Sequence, residues 1–247
     1  MKTIAVLALS VLSASVAQAQ DTGGFRLGVK VGATYSNISG NNVSQITGPN
    51  YSSELGAYKL GYNAGLTFGV PFNTGNTFFI APELLYNRKG YEIESSQTSG
   101  LAPGVSKVEY EQQRVLHYLD VPILAKFKVN GFFFEIGPQV SYLFGSKTKQ
   151  QTTTKYTNGD KDKVEDSNGF LDYTGISRGP SDKSDLAQFD IGGVAGVGFQ
   201  TDAGLTLNLR YARGFNSLID SKDTKNDPKA FNNAFTLQLG YLLPFGQ

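Results

Sequence analysis

Apolar and polar residues alternate along eight segments of this chain, whereas no segment repeats its apolar residues at the three- and four-residue spacing of an amphipathic helix. In a β-strand, successive side chains point to opposite faces, so each segment predicts a strand with one apolar face. Residues 25–35, FRLGVKVGATY, illustrate the pattern, since every second residue from Phe25 to Tyr35 is apolar. The eight predicted strands are 25–35, 62–72, 78–86, 118–129, 132–144, 189–199, 205–215 and 235–245.

The apolar faces indicate where these strands lie. Each face extends over about nine to eleven residues, which is the length that a tilted strand needs to cross a bilayer. Large rings lie at the ends of several runs, as in the aromatic girdles of outer-membrane barrels. The sequence contains no further layer to cover eight such faces, so we expect lipid to cover them and a closed ring to remove the sheet edges. The predicted fold is all-β, an eight-stranded antiparallel up-and-down transmembrane β-barrel.

The connections between predicted strands alternate in length. Short connections occur at 73–76, 130–131 and 202–204, and long ones at about 38–60, 93–109, 147–185 and 220–229. In outer-membrane barrels the short turns and both termini are periplasmic and the long loops are extracellular, which is the orientation we expect here. A soluble ligand-binding barrel would place apolar residues inside and polar residues outside, and is the less favoured architecture.

The N-terminus predicts export. Lys2 precedes an apolar run from Ile4 to about Val16, followed by Ala17-Gln18-Ala19, the pattern of a cleaved secretory signal. We therefore expect a signal peptide over residues 1–19 and a single barrel domain over residues 20–247, located in a bacterial outer membrane.

Composition excludes some classes of site. The 247 residues include 22 Lys and Arg against 21 Asp and Glu, a balance that gives no reason to expect nucleic-acid binding. The absence of Cys excludes disulfides and thiolate metal sites. No residue pattern predicts a cofactor.

Charged residues fall on the predicted lumen face of several strands. A narrow eight-stranded barrel is filled by side chains, and buried charges must be paired. Because both signs are present in similar numbers, we expect an ion-pair network rather than a catalytic or ion-conducting site, and parity suggests Arg210 and Glu83 as one pair. The predicted members are Arg26, Lys30, Glu83, Asp120, Lys126, Lys128, Glu135, Asp190 and Arg210.

Two other features were candidates for chemistry. His117, the only histidine, falls on the apolar face near the predicted extracellular rim, with no serine at the adjacent same-face position. A lipid-modifying enzyme would need such a partner, so a rim histidine is the favoured interpretation. Residues 158–169, NGDKDKVEDSNG, begin like a calcium loop but place Lys163 at the turn-glycine position and Gly169 at the twelfth, so we expect a solvated loop and no metal.

The predicted last strand ends in the pattern Gln238-x-Gly240-x-x-Leu243-x-Phe245, a polar residue and a glycine followed by an apolar residue and a closing aromatic. This ending resembles the C-terminal signal read by the barrel assembly machinery, which is then an expected partner together with outer-membrane lipids. Five segments, RLGVKVGATYSN, APELLYNRKG, HYLDVPILAKF, FEIGPQVSYLFG and LRYARG, resemble the PorT-like outer-membrane β-barrel family of Bacteroidota. The resemblance implies an eight-stranded outer-membrane barrel, and the founding member of that family takes part in protein secretion.

The sequence therefore predicts a non-enzymatic barrel with a plugged polar lumen, serving as a structural, surface-recognition or secretion-accessory protein with an unknown extracellular or secretion partner. The alternatives are a small transport or pore protein and, with less support, a lipid-modifying outer-membrane enzyme.

Overall fold

The computed structural model describes residues 26–40, 52–55, 58–71, 77–166, 168–171, 176–220 and 227–243. The predicted signal peptide lies outside these residues. Twelve strands occur in the described part of the chain, and no helix there is long and apolar enough to cross a membrane. The strands are β1 (Arg26–Ser39), β2 (Ser52–Leu55), β3 (Lys59–Pro71), β4 (Phe78–Gln97), β5 (Val105–Val129), β6 (Phe132–Tyr156), β7 (Lys161–Asp166), β8 (Phe170–Leu171), β9 (Ser177–Arg178), β10 (Phe189–Gln200), β11 (Leu205–Gly214) and β12 (Phe231–Leu242).

Eight of these strands form a closed antiparallel ring, in the order β1, β3, β4, β5, β6, β10, β11, β12 and back to β1. The closing pair, β1 with β12, runs from Gly28 opposite Leu242 to Ser39 opposite Phe231. Each ring strand pairs with the ring strands before and after it in the chain, which is up-and-down topology. The predicted eight-stranded antiparallel fold is confirmed.

The two faces of the ring differ as the alternation predicts. Outward side chains are large and apolar, and 59% of Val31, 65% of Ile136 and 61% of Leu239 is accessible on the outer surface of the ring. Their inward neighbours include the buried polar residues Lys30 and Glu135. A few inward positions are nevertheless apolar, because Ala81, Leu124 and Val194 pack together inside the barrel. Strand alternation alone does not predict this inward apolar contact.

Three ring strands extend more than ten residues beyond their predicted ends, whereas the others differ from the prediction by a few residues. Strand β4 continues to Gln97, β5 starts at Val105 and β6 continues to Tyr156, so the long connection expected over 93–109 is reduced to residues 98–104. The predicted loop over 147–185 is also wrong in part, because it contains the end of β6 and all of β7. Both faces of these extensions are rich in polar residues, so they lack the period-two hydrophobic pattern, although their backbone groups pair in regular ladders. We call the unit formed by β2, β7 and the extended ends of β4, β5 and β6 the protruding sheet.

A β-bulge lies where the protruding sheet leaves the ring. His117 of β5 is opposite Gly145 of β6, but Tyr118 is opposite Leu143, so Phe144 is an extra residue. A bulge of this kind exchanges the two faces of the strand that carries it. Thus odd-numbered residues such as Leu143 are buried before the bulge, and even-numbered ones such as Thr148 are buried after it.

The end of the ring that carries the long connections contains an apolar cluster, which we call the mouth cluster. Leu186, Leu218 and Ile219 come from the connections around β10 and β11, and a single bridge pairs Leu186 with Ile219. They pack on inward residues of the ring, so the described parts of these connections around Leu186 and Leu218 lie in the mouth of the barrel. The full cluster is Ile38, Tyr91, Ile93, Leu116, Tyr118, Leu143, Leu186, Leu218, Ile219 and Ala230.

Candidate functional site

The most densely charged part of the lumen is centred on Glu83 of β4. Lys30 Nζ donates to Glu83 Oε1 at 2.7 Å, and Thr67 Oγ1 donates to the same oxygen at 3.0 Å. Arg210 contacts both carboxylate oxygens, with Nη1 donating to Oε2 at 2.6 Å and Nη2 donating to Oε1 at 2.9 Å. This two-point contact matches the planar guanidinium to the carboxylate. The Arg210–Glu83 pair suggested by strand parity is therefore present.

Glu135 of β6 is the second carboxylate of this group. It accepts a hydrogen bond from Arg210 Nε, and Lys126 Nζ lies 3.0 Å from its Oε2 atom. Lys126 also lies 3.4 Å from Glu83 Oε1, so it bridges the two carboxylates. We call Lys30, Glu83, Lys126, Glu135 and Arg210 the lower cluster.

Strand register explains why these side chains meet. Lys126 and Glu135 are directly opposite on β5 and β6, and Gly196 of β10 lies between Glu135 and Arg210 of β11. A Cβ atom at Gly196 would lie 3.0 Å from Arg210 Cγ and 3.1 Å from Glu135 Oε1. The glycine therefore leaves the space through which the arginine reaches Glu135.

A second charged group lies closer to the mouth. Lys89 Nζ lies 3.0 Å from Asp120 Oδ2, and Asn87 Nδ2 donates to the same oxygen at 2.9 Å. Asp190 accepts a hydrogen bond from Asn232 Nδ2 at 2.7 Å on Oδ2, while its Oδ1 atom is buried without a hydrogen-bond partner. We call Lys89, Asp120 and Asp190 the upper cluster.

Neutral polar side chains connect the two clusters. Asn208 Nδ2 donates to Glu135 Oε1 at 3.0 Å and to Gln238 Oε1 at 3.2 Å, and Gln238 Nε2 donates to Asn63 Oδ1 at 2.6 Å. The chain continues as Asn63 Nδ2 donates to Thr34 Oγ1 at 3.0 Å and Thr34 Oγ1 donates to Asn87 Oδ1 at 2.9 Å. Because Asn87 also contacts Asp120, one hydrogen-bonded path extends from the lower to the upper cluster.

A further buried ion pair, separate from the two clusters, lies at the mouth of the barrel. Arg114 Nη1 and Nη2 donate to Asp185 Oδ2 and Oδ1 at 2.5 and 2.7 Å, and both residues are buried. The Arg114 guanidinium also lies over the Phe170 ring, 4.9 Å from its centroid. Asp185 immediately precedes Leu186, so this pair attaches the mouth cluster to the inner face of β5.

The predicted lumen residues do not form one group. Lys30, Glu83, Lys126, Glu135 and Arg210 form the lower cluster, and Asp120 and Asp190 belong to the upper one. Arg26 and Lys128 lie at the short-turn end and are partly exposed. The Arg26 guanidinium lies 5.7 Å from the centroid of the Phe79 ring. No ion pair joins Lys128 to a carboxylate among the described residues.

Sequence reasoning missed Lys89, Arg114 and the neutral connecting residues. Lys89 could have been found by continuing the predicted strand past residue 86, because its odd number places it on the same inward face as Glu83 and Asn87. Arg114 lies between the connection predicted over about 93–109 and the strand predicted from residue 118, in a segment that was assigned to neither.

The remaining predicted residues lie elsewhere. Gln238 and Gly240 are on β12, with Gln238 buried in the connecting path, and Leu243 follows that strand. Phe245 lies outside the described residues. His117 is on the outer face, where its Nδ1 atom is 2.8 Å from Tyr86 Oη and its ring lies beside Tyr86 and Phe144.

The closed ring, with its apolar outer face and charged lumen, agrees with a comparison to protein families. A family model described as outer membrane protein beta-barrel domain matches residues 16–220. The chain belongs to this family. It is therefore an outer-membrane β-barrel protein, and its apolar outer face fits a lipid environment.

Solved structures of barrels are also similar to the chain. The attachment invasion locus protein Ail of Yersinia pestis is 9% identical, with 88% of this chain and 98% of that one covered and a TM-score of 0.36. Neisserial surface protein A is 9% identical with the same coverage and a TM-score of 0.38. The outer membrane protease OmpT from Escherichia coli is 8% identical, with 91% and 100% covered and a TM-score of 0.36. The search of curated proteins found no match.

Proposed function

We propose that this barrel is a non-enzymatic outer-membrane protein that presents the protruding sheet outside the cell, as a structural, recognition or secretion-accessory surface. The observation that carries the proposal is the filled lumen. The lower cluster, the connecting path, the upper cluster and the mouth cluster follow one another along the barrel. The charged members of the two charged clusters form ion pairs, except Asp190, which accepts a hydrogen bond from Asn232.

This filling argues against transport. An ion moving through the lumen would have to displace side chains from buried ion pairs, and breaking such a pair typically costs about 3–5 kcal/mol. Two cavities between the inward side chains of the ring measure only about 40 and 10 Å³.

The protruding sheet is the part of the fold best suited to meet a partner. All six residues of β7 are exposed, including Val164, which is 58% exposed on a strand that otherwise consists of Lys, Asp and Glu. Its orientation follows from the rule that outer-membrane barrels place their long connections outside and their short turns and termini in the periplasm. The resemblance to the PorT-like family of Bacteroidota supports a secretion-accessory role within this proposal.

Conductance tests the closed lumen. We expect purified protein in a planar lipid bilayer to give no steady current comparable to that of a porin. An established general porin, inserted under the same conditions, is the positive control. Stable ion-selective currents from the unmutated protein would reject the closed lumen and favour transport.

Cysteine labelling tests the orientation independently, since the chain has no native Cys. Val164→Cys lies on β7 and Asp202→Cys in the short turn between β10 and β11, and both positions are exposed. We expect a membrane-impermeant maleimide to label Val164→Cys on intact cells, and Asp202→Cys only after the outer membrane is permeabilised. The reverse result would invert the proposed orientation.

A further inference from the structure

The lumen contains a small basic cavity at its short-turn end. It measures about 40 Å³, and its lining includes three lysines, Lys30, Lys126 and Lys128, but no Asp or Glu among the described residues. Thr67, Gln200 and Thr206 supply further polar groups, and Phe79 and Phe133 supply apolar walls. This lining favours negative charge in the cavity.

The charges around this cavity do not balance. Lys30, Lys126 and Arg210 share only two carboxylates, Glu83 and Glu135. Lys128 also lines the cavity, but it is partly exposed and is attracted by the Asp202 carboxylate of the nearby β10–β11 turn, which does not line the cavity. Since a buried charge is costly without a counter-charge, the three cations and two carboxylates of the lower cluster leave an excess of one positive charge among the described side chains beside the cavity.

Thr206 is an independent indication of a ligand. It is only 7% exposed, lines the cavity, and has an Oγ1 atom that is buried without a hydrogen-bond partner. A hydroxyl can donate one hydrogen bond, and an ammonium group can donate three. Lys30 uses one of these on Glu83, so both side chains retain donors for a further acceptor.

We propose that this cavity binds one small inorganic anion, chloride or phosphate, through Lys30, Lys126, Lys128 and Thr206. A space of this volume exceeds the roughly 10–15 Å³ needed for a single water, but is too small for a nucleotide or a sugar phosphate. The bound anion neutralises the excess positive charge of the lower cluster and satisfies Thr206. The site adds a ligand to the barrel and does not depend on the proposed surface role.

The site is tested by thermal unfolding of the protein in detergent, with the change in gel mobility as the measure of unfolding. Sodium chloride or sodium phosphate is titrated while ionic strength is held constant with sodium gluconate, whose anion is too large for the cavity. A ligand that binds only the folded barrel raises Tm with the logarithm of its concentration, so we expect this rise for chloride, phosphate or both. A Tm that does not change when gluconate is replaced by either anion would overturn the proposal.

Two variants locate the effect. Thr206→Val keeps the shape of the side chain and replaces its hydroxyl by a methyl group. Lys128→Met removes a cation that forms no ion pair with a carboxylate among the described residues, although Asp202 attracts it from the β10–β11 turn. Both should fold, and both should lose most of the anion-dependent rise in Tm. Lys147→Met, which removes the same charge from an exposed position on β6, is the matched control and should retain the full rise. An equal rise in all four proteins would show general anion binding and would refute a site in this cavity.

Discussion

Substitutions of the two central residues of the lower cluster, Arg210 and Glu83, should lower the stability of the barrel by different amounts. Arg210→Met leaves Lys30 and Lys126 facing Glu83 and Glu135, two cations against two carboxylates. Glu83→Gln leaves three cations, Lys30, Lys126 and Arg210, facing Glu135 alone. We therefore expect the glutamate substitution to destabilise the barrel more than the arginine substitution, although both break the same ion pair.

Hydrogen-bond geometry adds to this difference. Glu83 Oε1 accepts from Lys30, Thr67 and Arg210, and Oε2 accepts from Arg210 Nη1. The amide nitrogen of a glutamine would therefore face an arginine donor in either orientation of the side chain. After Arg210→Met, by contrast, Glu83 keeps Lys30 at 2.7 Å and Glu135 keeps Lys126 at 3.0 Å.

Breaking a buried pair costs about 3–5 kcal/mol. We place Arg210→Met near the lower end of that range and Glu83→Gln near the upper end. Since the two residues share partners, the free-energy changes in the double variant should not be additive.

The free energy of unfolding is measured by urea titration in detergent micelles. Gel mobility or far-UV circular dichroism reports unfolding, because the chain has no Trp. Glu109→Gln is the matched control, since it makes the same chemical change at the Lys155–Glu109 pair of the protruding sheet, whose side chains are 32% and 36% exposed, and should cost no more than about 1 kcal/mol. A loss for Arg210→Met equal to or larger than that for Glu83→Gln would refute the charge argument.

Two further predictions concern regions outside the lower cluster. Asp185→Asn leaves the Arg114 guanidinium buried without its carboxylate. Hydrogen exchange at the backbone amides of Leu186 and Leu218 should therefore accelerate, while the barrel keeps its folded gel mobility. Unchanged exchange would show that Asp185 does not hold the mouth cluster in place. Hydrogen bonds from Lys155 and Lys107 lower the pKa of Glu109 below its ordinary value of 4.5, so its contribution to stability is present above that pH and is lost as the pH falls through the lowered pKa. The difference in unfolding free energy between wild type and Glu109→Gln should therefore be small near neutral pH and disappear in acid, and a difference that grows in acid would contradict the sign.

The alternation of apolar and polar residues was sufficient to predict the ring. Strands that separate lipid-facing from lumen-facing residues must repeat with period two, so all eight ring strands and the inward parity of Lys30, Glu83, Glu135 and Arg210 could be predicted from the sequence alone. Parity also suggested the Arg210–Glu83 pair, because buried charges on the inward face of a narrow barrel must be paired with charges of opposite sign.

The extensions of β5 and β6, the bulge at Phe144 and the Arg114–Asp185 pair could be known only from the tertiary structure. The extensions of β5 and β6 are polar on both faces and carry no periodic signal, and the bulge at Phe144 depends on the register with the neighbouring strand. Likewise, Arg114 meets Asp185 only because a connection more than 70 residues away folds back into the mouth of the barrel. Local alternation reports which face a side chain occupies, but the position of each residue along the barrel, and therefore its partner, is set by the register between strands.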